Sequence, residues 1–173
     1  MAILKKAAAV LALALALAVP AHAAPSEYEI KAAFIYQIAR LVEWPPERAD
    51  GIAPRLCVLG GNPFGAALES VRGKPVNGRG IDVALLGAGA DTRECALLFI
   101  ATPAEKSLDR IVALSRGAGL LTLGDTEGFG QRGVMINFFL ESGKVRFEIN
   151  LDAARQGNLK IRSKLLSLAK IVD

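Results

Sequence analysis

The side chains that could do chemistry are few, and they lack the partners that catalysis needs. Asp125 and Glu127 stand two residues apart in the glycine-rich segment 124–130, where paired carboxylates can serve acid–base chemistry. The same pattern is typical of solvated turn residues, which is the interpretation we favour. No serine stands in a G-x-S-x-G elbow or in an S-x-x-K motif with its supporting lysine motif. The sequence therefore favours a protein that is not an enzyme and that uses no cofactor or metal.

A second glycine-rich segment, residues 60–65, follows a short apolar run and precedes a predicted helix. Backbone N–H groups in that position can hold an anion. However, Asn62 occupies the place of the second glycine of a dinucleotide fingerprint, and no Lys-Ser/Thr pair follows as in a Walker loop. We interpret the segment as a strand-to-helix turn.

Residues 1–23 have the form of a secretory signal peptide. Lys5 and Lys6 precede an apolar run over residues 7–19, and a small-x-small site ends at Ala23. Cleavage there would leave residues 24–173 as one periplasmic domain and would remove His22, the only histidine of the chain. The net charge would fall from +4 to +2, because two lysines leave with the signal. Charges of both signs are interspersed in the remainder, which argues against nucleic-acid binding.

Cys57 and Cys95 are the only cysteines of the chain. An even pair in an exported protein predicts a disulfide. A reactive thiol is the alternative, but Cys57 lies in an apolar run and no histidine is left to activate it. A metal site built from two thiols alone is less favoured still.

The helix that opens the predicted domain is marked by a capping box. Ser26 and Glu29 have the required spacing, and the proline pair at 45–46 ends the pattern, so we expect a helix over residues 27–42. We expect its apolar stripe to lie in the core; a face offered to a partner is the alternative. The stripe consists of Ile30, Phe34, Ile38 and Leu41.

The rest of the chain alternates short apolar strands with short helices. The predicted strands are 56–59, 81–86, 97–101 and 120–123, and the predicted helices are 63–71 and 107–116. This order predicts an α/β fold: a single three-layer α/β/α sandwich with about six strands, mostly parallel. Segments 134–140 and 144–150 should add a C-terminal antiparallel hairpin. A helical turn over 152–156 and a helix over 163–171 are expected to follow.

The last strand of that hairpin alternates apolar and polar residues. Period-two alternation predicts that Val145, Phe147 and Ile149 face the core and that the residues between them are exposed. The exposed set, extended by basic residues further along, could bind a partner's charged rim or a small zwitterion. Plain surface salt pairing is an equally open alternative. The candidate binding residues are Arg146, Glu148, Asn150, Arg155, Lys160 and Arg162.

Several segments resemble the YfiR-like family of periplasmic proteins. They are FIYQI (34–38), LVEWP (41–45), GDTEGF (124–129), GVMINF (133–138), RFEINL (146–151) and LKIRSKLLSLA (159–169). The likeness extends over nearly all of residues 24–173, and its most specific part is the C-terminal half.

The resemblance implies an α/β sandwich and a regulatory role. YfiR-like proteins are similar to periplasmic repressors that bind the periplasmic domain of an inner-membrane diguanylate cyclase and so restrain cyclic-di-GMP synthesis. An outer-membrane lipoprotein can sequester such a repressor, and a homodimer is a further expectation. The best-known member carries a second disulfide near the last hairpin, which this chain lacks, so redox switching through that bridge is not expected. A periplasmic small-molecule sensor is the alternative function.

Overall fold

Short apolar segments form the strands of one central sheet in the computed structural model, which describes residues 24–49 and 53–173. The predicted signal peptide, residues 1–23, lies outside the described residues. The described strands are β1 (Val42–Glu43), β2 (Arg55–Leu59), β3 (Pro75–Val76), β4 (Arg79–Gly80), β5 (Asp82–Leu86), β6 (Leu97–Ile100), β7 (Leu121–Gly124), β8 (Ile136–Glu141), β9 (Lys144–Asn150), β10 (Lys160–Ile161) and β11 (Lys170–Val172). The described α-helices are α1 (Glu27–Leu41), α2 (Pro46–Ala49), α3 (Leu108–Ser115), α4 (Leu151–Gln156) and α5 (Ser163–Leu166), and 3₁₀-helices cover Gly65–Ser70 and Thr102–Ser107.

The central sheet has the strand order β11-β9-β8-β7-β6-β2-β5. Strands β5, β2, β6, β7 and β8 run parallel to one another. Strand β9 returns antiparallel to β8 as the predicted hairpin. The predicted mostly parallel sheet with a C-terminal hairpin is therefore confirmed. It has seven strands rather than about six, because β11 pairs in parallel with β9.

The helix predicted over residues 163–171 is wrong in its second half. Helix α5 ends at Leu166, and residues 170–172 extend the sheet instead. The edge of β9 offers backbone donors and acceptors to this segment, so a tertiary contact overrides a local helical pattern.

Successive residues of the central strands point into two separate cores. On β2, Leu56 and Val58 lie in the core that α1 covers, whereas Cys57 and Leu59 lie in the core that α3 covers. Burial on both faces explains why these strands are unbroken apolar runs rather than alternating ones. The three-layer α/β/α architecture follows directly.

Helix α1 begins as the capping box predicts. The Ser26 hydroxyl accepts a hydrogen bond from the Glu29 N–H, and the Glu29 carboxylate accepts one from the Ser26 N–H. The predicted apolar stripe is only partly right, since Ile38 is fully buried but Ile30, Phe34 and Leu41 are half-buried. The deepest face instead carries Lys31, Ala32, Ile35, Ile38 and Ala39.

A disulfide joins Cys57 on β2 to Cys95, which precedes β6. The two Cα atoms lie 5.8 Å apart, and the bridge closes a sequence separation of 38 residues. Both residues are buried in the core beside α3. The bridge confirms the predicted pairing and fastens two neighbouring strands of the sheet. Within residues 24–49 and 53–173, no helix is long and apolar enough to cross a membrane.

Candidate functional site

A buried lysine on α1 links that helix to the loop after β7. The Lys31 ammonium lies 2.7 Å from Asp125 Oδ2 and 2.5 Å from Glu27 Oε1, and the residue is 3% exposed. The ring of Tyr28 lies 4.4 Å from the same nitrogen, and the Tyr28 hydroxyl donates to Asp125 Oδ2 at 2.9 Å. Because burial makes an unpaired ammonium costly, these partners are what allow a lysine at this depth.

The interpretation of both loop carboxylates as solvated turn residues is wrong for Asp125. Its side chain is only 7% exposed and serves as the shared acceptor for Lys31 and Tyr28, whereas Glu127 is exposed as expected. The partners of Asp125 lie on α1, more than ninety residues away in the chain, so the local pattern of the loop carried no sign of them. Burial, and then the hydrogen bond to Asp125, raises the pKa of Tyr28 to about 12.

A second buried polar group lies on the neighbouring hairpin. Asn137 on β8 stands opposite Glu148 on β9, and its Nδ2 donates to Glu148 Oε1 at 3.3 Å and to the Thr126 carbonyl at 3.0 Å. The Asn137 Oδ1 is buried and has no hydrogen-bond partner. Gly130 passes so close to Glu148 that any Cβ there would clash with Oε1. The loop after β7 therefore packs down onto the hairpin.

Lys31, Asp125, Asn137 and Glu148 line a cleft of about 720 Å³ beside the carboxyl end of β7. We call it the β7 cleft. It lies at the carboxyl end of the parallel strands, the end at which ligands of open α/β sheets bind. The apolar side chains of its wall include Phe139 and Leu140. The charged residues of the wall are Glu27, Lys31, Asp125, Glu127, Glu148 and Lys170.

The predicted exposure of the polar residues on β9 is wrong at two of three positions. Arg146 is exposed, but Glu148 and Asn150 are buried. The loop after β7 covers this face: Asn150 Nδ2 donates to the Gly130 carbonyl at 2.9 Å. Asn150 also caps α4, because its Oδ1 accepts from the Ala153 N–H at 2.7 Å. The residues predicted to face the core, Val145, Phe147 and Ile149, are buried as expected.

The remaining candidate residues lie on the surface. Lys160 and Arg162 belong to the segment around β10, which pairs antiparallel with β1, and Arg162 Nε lies 3.2 Å from Glu43 Oε1. Arg155 on α4 pairs with Asp152, and Arg146 pairs with Glu141. The structure therefore brings Lys160 and Arg162 together on one ribbon and separates Glu148 and Asn150 from the exposed set by burying them.

The glycine-rich segment 60–65 is a turn. Gly60 has a φ of 91°, and its backbone lies so close to Ala104 that a Cβ would clash. Asn62 accepts a hydrogen bond from the Phe64 N–H at 3.0 Å and so closes the turn before the 3₁₀-helix. Glycine is needed here for backbone geometry. In the part of the chain that the structure describes, no group of three His, Cys, Asp or Glu residues is placed to hold a metal.

Sequence reasoning missed Tyr28, Lys31, Asn137 and Lys170 as residues of one site. A usable signal existed for Lys31, since it shares a helix face with Ile35 and Ile38 at the i+4 and i+7 positions. A charge inside an apolar stripe indicates a buried partner elsewhere. No comparable local signal marks Asn137 or Lys170.

The described residues define an α/β/α sandwich with a polar cleft at the carboxyl end of β7, the middle strand of the sheet. The chain belongs to the YfiR/HmsC-like family, whose sequence model matches residues 28–170. This membership confirms the resemblance that the sequence motifs indicated. The family is associated with periplasmic regulation of diguanylate cyclases.

Among solved structures, the chain is similar to a conserved domain protein from Vibrio cholerae O1 biovar El Tor strain N16961. The TM-score is 0.58 at 14% sequence identity, and the match covers 86% of this chain and 60% of the other. At this identity the likeness concerns the fold alone. No curated protein matches the chain significantly.

Proposed function

We propose that this protein is a periplasmic repressor that binds the periplasmic domain of an inner-membrane diguanylate cyclase and thereby lowers cyclic-di-GMP synthesis. The observation that carries the proposal is the family match over residues 28–170. The signal-peptide pattern of residues 1–23 supports export to the compartment in which such a contact takes place. An outer-membrane lipoprotein that captures the repressor would release the cyclase.

We place the partner surface on the exposed basic residues of the C-terminal half. Lys160 and Arg162 extend from the β1–β10 ribbon, and Leu168 and Ile171, which follow in the chain, are exposed hydrophobic residues. Apolar anchors within a polar, charged rim are typical of protein–protein interfaces. Glu148 and Asn150 are buried beneath the loop after β7, so the proposed contact surface does not include them. We add to this proposed basic rim the exposed Arg146 and Arg155, which pair with Glu141 and Asp152.

A binding measurement with the purified cyclase domain tests this surface. Immobilised periplasmic domain should capture the wild-type protein, and the double charge reversal Lys160→Glu with Arg162→Glu should weaken capture by about tenfold or more. The matched control is Lys106→Glu with Arg110→Glu, which reverses two exposed basic residues around α3. Equal binding by both double variants would place the interface elsewhere. Light scattering of the same samples tests the expected homodimer.

The β7 cleft favours a second candidate function, that of a small-molecule sensor. A ligand in the cleft would contact the loop after β7 and the hairpin together, so binding could change the affinity for a partner through linkage. The two functions are compatible in one protein.

A further inference from the structure

We propose that the β7 cleft binds a small organic ammonium compound, whose ammonium group pairs with the carboxylate of Glu148 and whose apolar body lies against Phe139. The site shares no residue with the proposed cyclase-binding surface, and Lys170 is the wall residue that adjoins Leu168 and Ile171 of that surface.

The balance of charge in the cleft favours a cation. Its wall carries four carboxylates, from Glu27, Asp125, Glu127 and Glu148, against the ammonium groups of Lys31 and Lys170. Lys31 is already neutralised by its ion pairs with Glu27 and Asp125. Glu127 and Glu148 are left facing Lys170, so the open part of the cleft has an excess of negative charge.

Glu148 is the strongest single indication of a ligand. The residue is 6% exposed, yet among the described residues it receives one long hydrogen bond, from Asn137, and has no cation within 4 Å. An ionised carboxylate can accept about four hydrogen bonds, and burial without a partner is costly. Asn137 Oδ1 adds a second buried acceptor without a donor. Glu148 is therefore an underused acceptor in the wall of the cleft, and an ammonium group provides three donors.

The size and the other walls of the cleft limit the rest of the ligand. A volume of about 720 Å³ is within the range of sites for small molecules. Phe139 shares the sheet face of Asn137 and Glu148 and is half-buried, so it offers apolar surface to the ligand. Lys170 neighbours Glu148 in the β9–β11 register, so Glu127 and Glu148 exceed it by one negative charge, which balances a single ammonium group and no second one. The expected class is a primary monoamine with an aromatic or aliphatic body.

Calorimetric titration of the purified protein with three matched compounds tests the chemistry. Phenethylamine should bind and raise the melting temperature, whereas 2-phenylethanol and 3-phenylpropionate, which lack the ammonium group, should do neither. Tryptamine and isoamylamine extend the comparison to other apolar bodies. If none of the three amines binds, or if the alcohol binds as well as its amine, the proposal is overturned.

Substitutions then test the position of the ammonium group. Glu148→Gln should weaken phenethylamine binding by about tenfold or more, because a charge-assisted contact becomes a neutral one. Glu141→Gln makes the same change in the same hairpin at a side chain that is 65% exposed and outside the cleft, and it should bind as the wild type does. Equal affinity of the two variants contradicts the assignment.

Amide chemical-shift mapping of the wild-type protein keeps the test independent of whether the Glu148 variant folds. Phenethylamine should shift the amides of residues 125–131, 137–140 and 148. Shifts confined to other parts of the chain would overturn the site. None of these ligand-binding measurements involves the cyclase. A negative result in them would therefore leave the proposed repressor function standing, and a failure to bind the cyclase would leave the proposed ligand site standing.

Discussion

The ion pair between Lys31 and Asp125 joins helix α1 to the loop after β7. In Asp125→Ala the buried Lys31 ammonium retains the ring of Tyr28 and a single carboxylate, that of Glu27, whose side chain is 39% exposed. Removing one member of a buried pair costs about 3 kcal/mol or more, so denaturant unfolding should show a loss of that size. Glu127→Ala, an exposed carboxylate of the same loop, should change the free energy of unfolding by less than about 0.5 kcal/mol. Equal effects of the two substitutions would contradict the described pair.

Tyr28 gives the same contact a pH signature. Its pKa is raised from 10.0 to about 12, first by burial and then by the hydrogen bond to Asp125. The folded state therefore holds the phenol proton more tightly than the unfolded chain does. This stabilisation is fully present below pH 10 and is lost as the pH rises from 10 to 12. Between those values the free energy of unfolding should fall more steeply in the wild type than in Tyr28→Phe, and parallel curves would refute the assignment.

Glu148 shows where residue-level prediction from the sequence fails. Alternation along β9 assigns Arg146, Glu148 and Asn150 to one face, and they do share that face, but only Arg146 is exposed. The solvent exposure of a sheet face depends on which other segments pack against it, and here the loop near Gly130 packs against this face and buries it. The period-two alternation of β9 predicts which residues share a face of the sheet. It does not predict whether another part of the chain buries that face.

A pair of charge reversals on β9 distinguishes the two environments. Glu148→Lys puts an ammonium group under Gly130 and beside Lys170, so it should lower the free energy of unfolding by about 3 kcal/mol. Arg146→Glu, on the same strand but exposed, should change it by less than about 0.5 kcal/mol. Denaturant titrations of both variants give the comparison. A Glu148→Lys protein as stable as the wild type would mean that this face is open to solvent.

At the scale of elements, the Cys57–Cys95 bridge has a measurable effect on stability. A bridge that closes 38 residues restricts the unfolded chain by about 4 kcal/mol on the loop-entropy estimate. Cys57→Ala with Cys95→Ala should therefore lower the free energy of unfolding by about that amount. Intact mass before and after reduction should differ by about two daltons. Quantitative alkylation of both thiols without a reductant would rule the bridge out.

Elements whose signals are local were predicted well, and elements that depend on distant pairing were not. The capping box fixes the start of α1, and burial on both faces makes strands such as β2 and β6 continuous apolar runs. Strand β11 was missed because Leu165, Leu168 and Val172 also fit a helical stripe. Its strand conformation depends on pairing with β9, which no local pattern encodes.

At the scale of the whole molecule, the α/β/α architecture was accessible from the sequence, but the β7 cleft was not. Lys31 and Asp125 are 94 residues apart, and Asn137 and Glu148 join them only when the hairpin folds beside β7. Composition and motif reasoning could detect Asp125 and Glu148 separately and assigned both to solvent. The site is a product of the topology, because it exists where the loop after β7, the hairpin and α1 meet.

The regulatory role that we propose for the whole molecule acts through the exposed ribbon of Lys160 and Arg162 rather than through the buried residues of β9. We therefore expect surface variants and buried variants to differ in cells in whether repression is lost without loss of folded protein. The surface variant should fold, reach the periplasm in normal amounts and fail to repress. Buried variants should instead lose activity only as far as they lose folded protein.

Cellular cyclic-di-GMP in a strain that lacks this gene and retains the partner cyclase is the most direct test of that role. We predict that cyclic-di-GMP rises on deletion and returns to its original level with the wild-type gene or with the Lys106→Glu, Arg110→Glu control. We also predict that the Lys160→Glu, Arg162→Glu variant, present in equal amounts, leaves the level high. Unchanged cyclic-di-GMP on deletion would contradict the repressor function itself, and full repression by the surface variant would contradict the proposed interface.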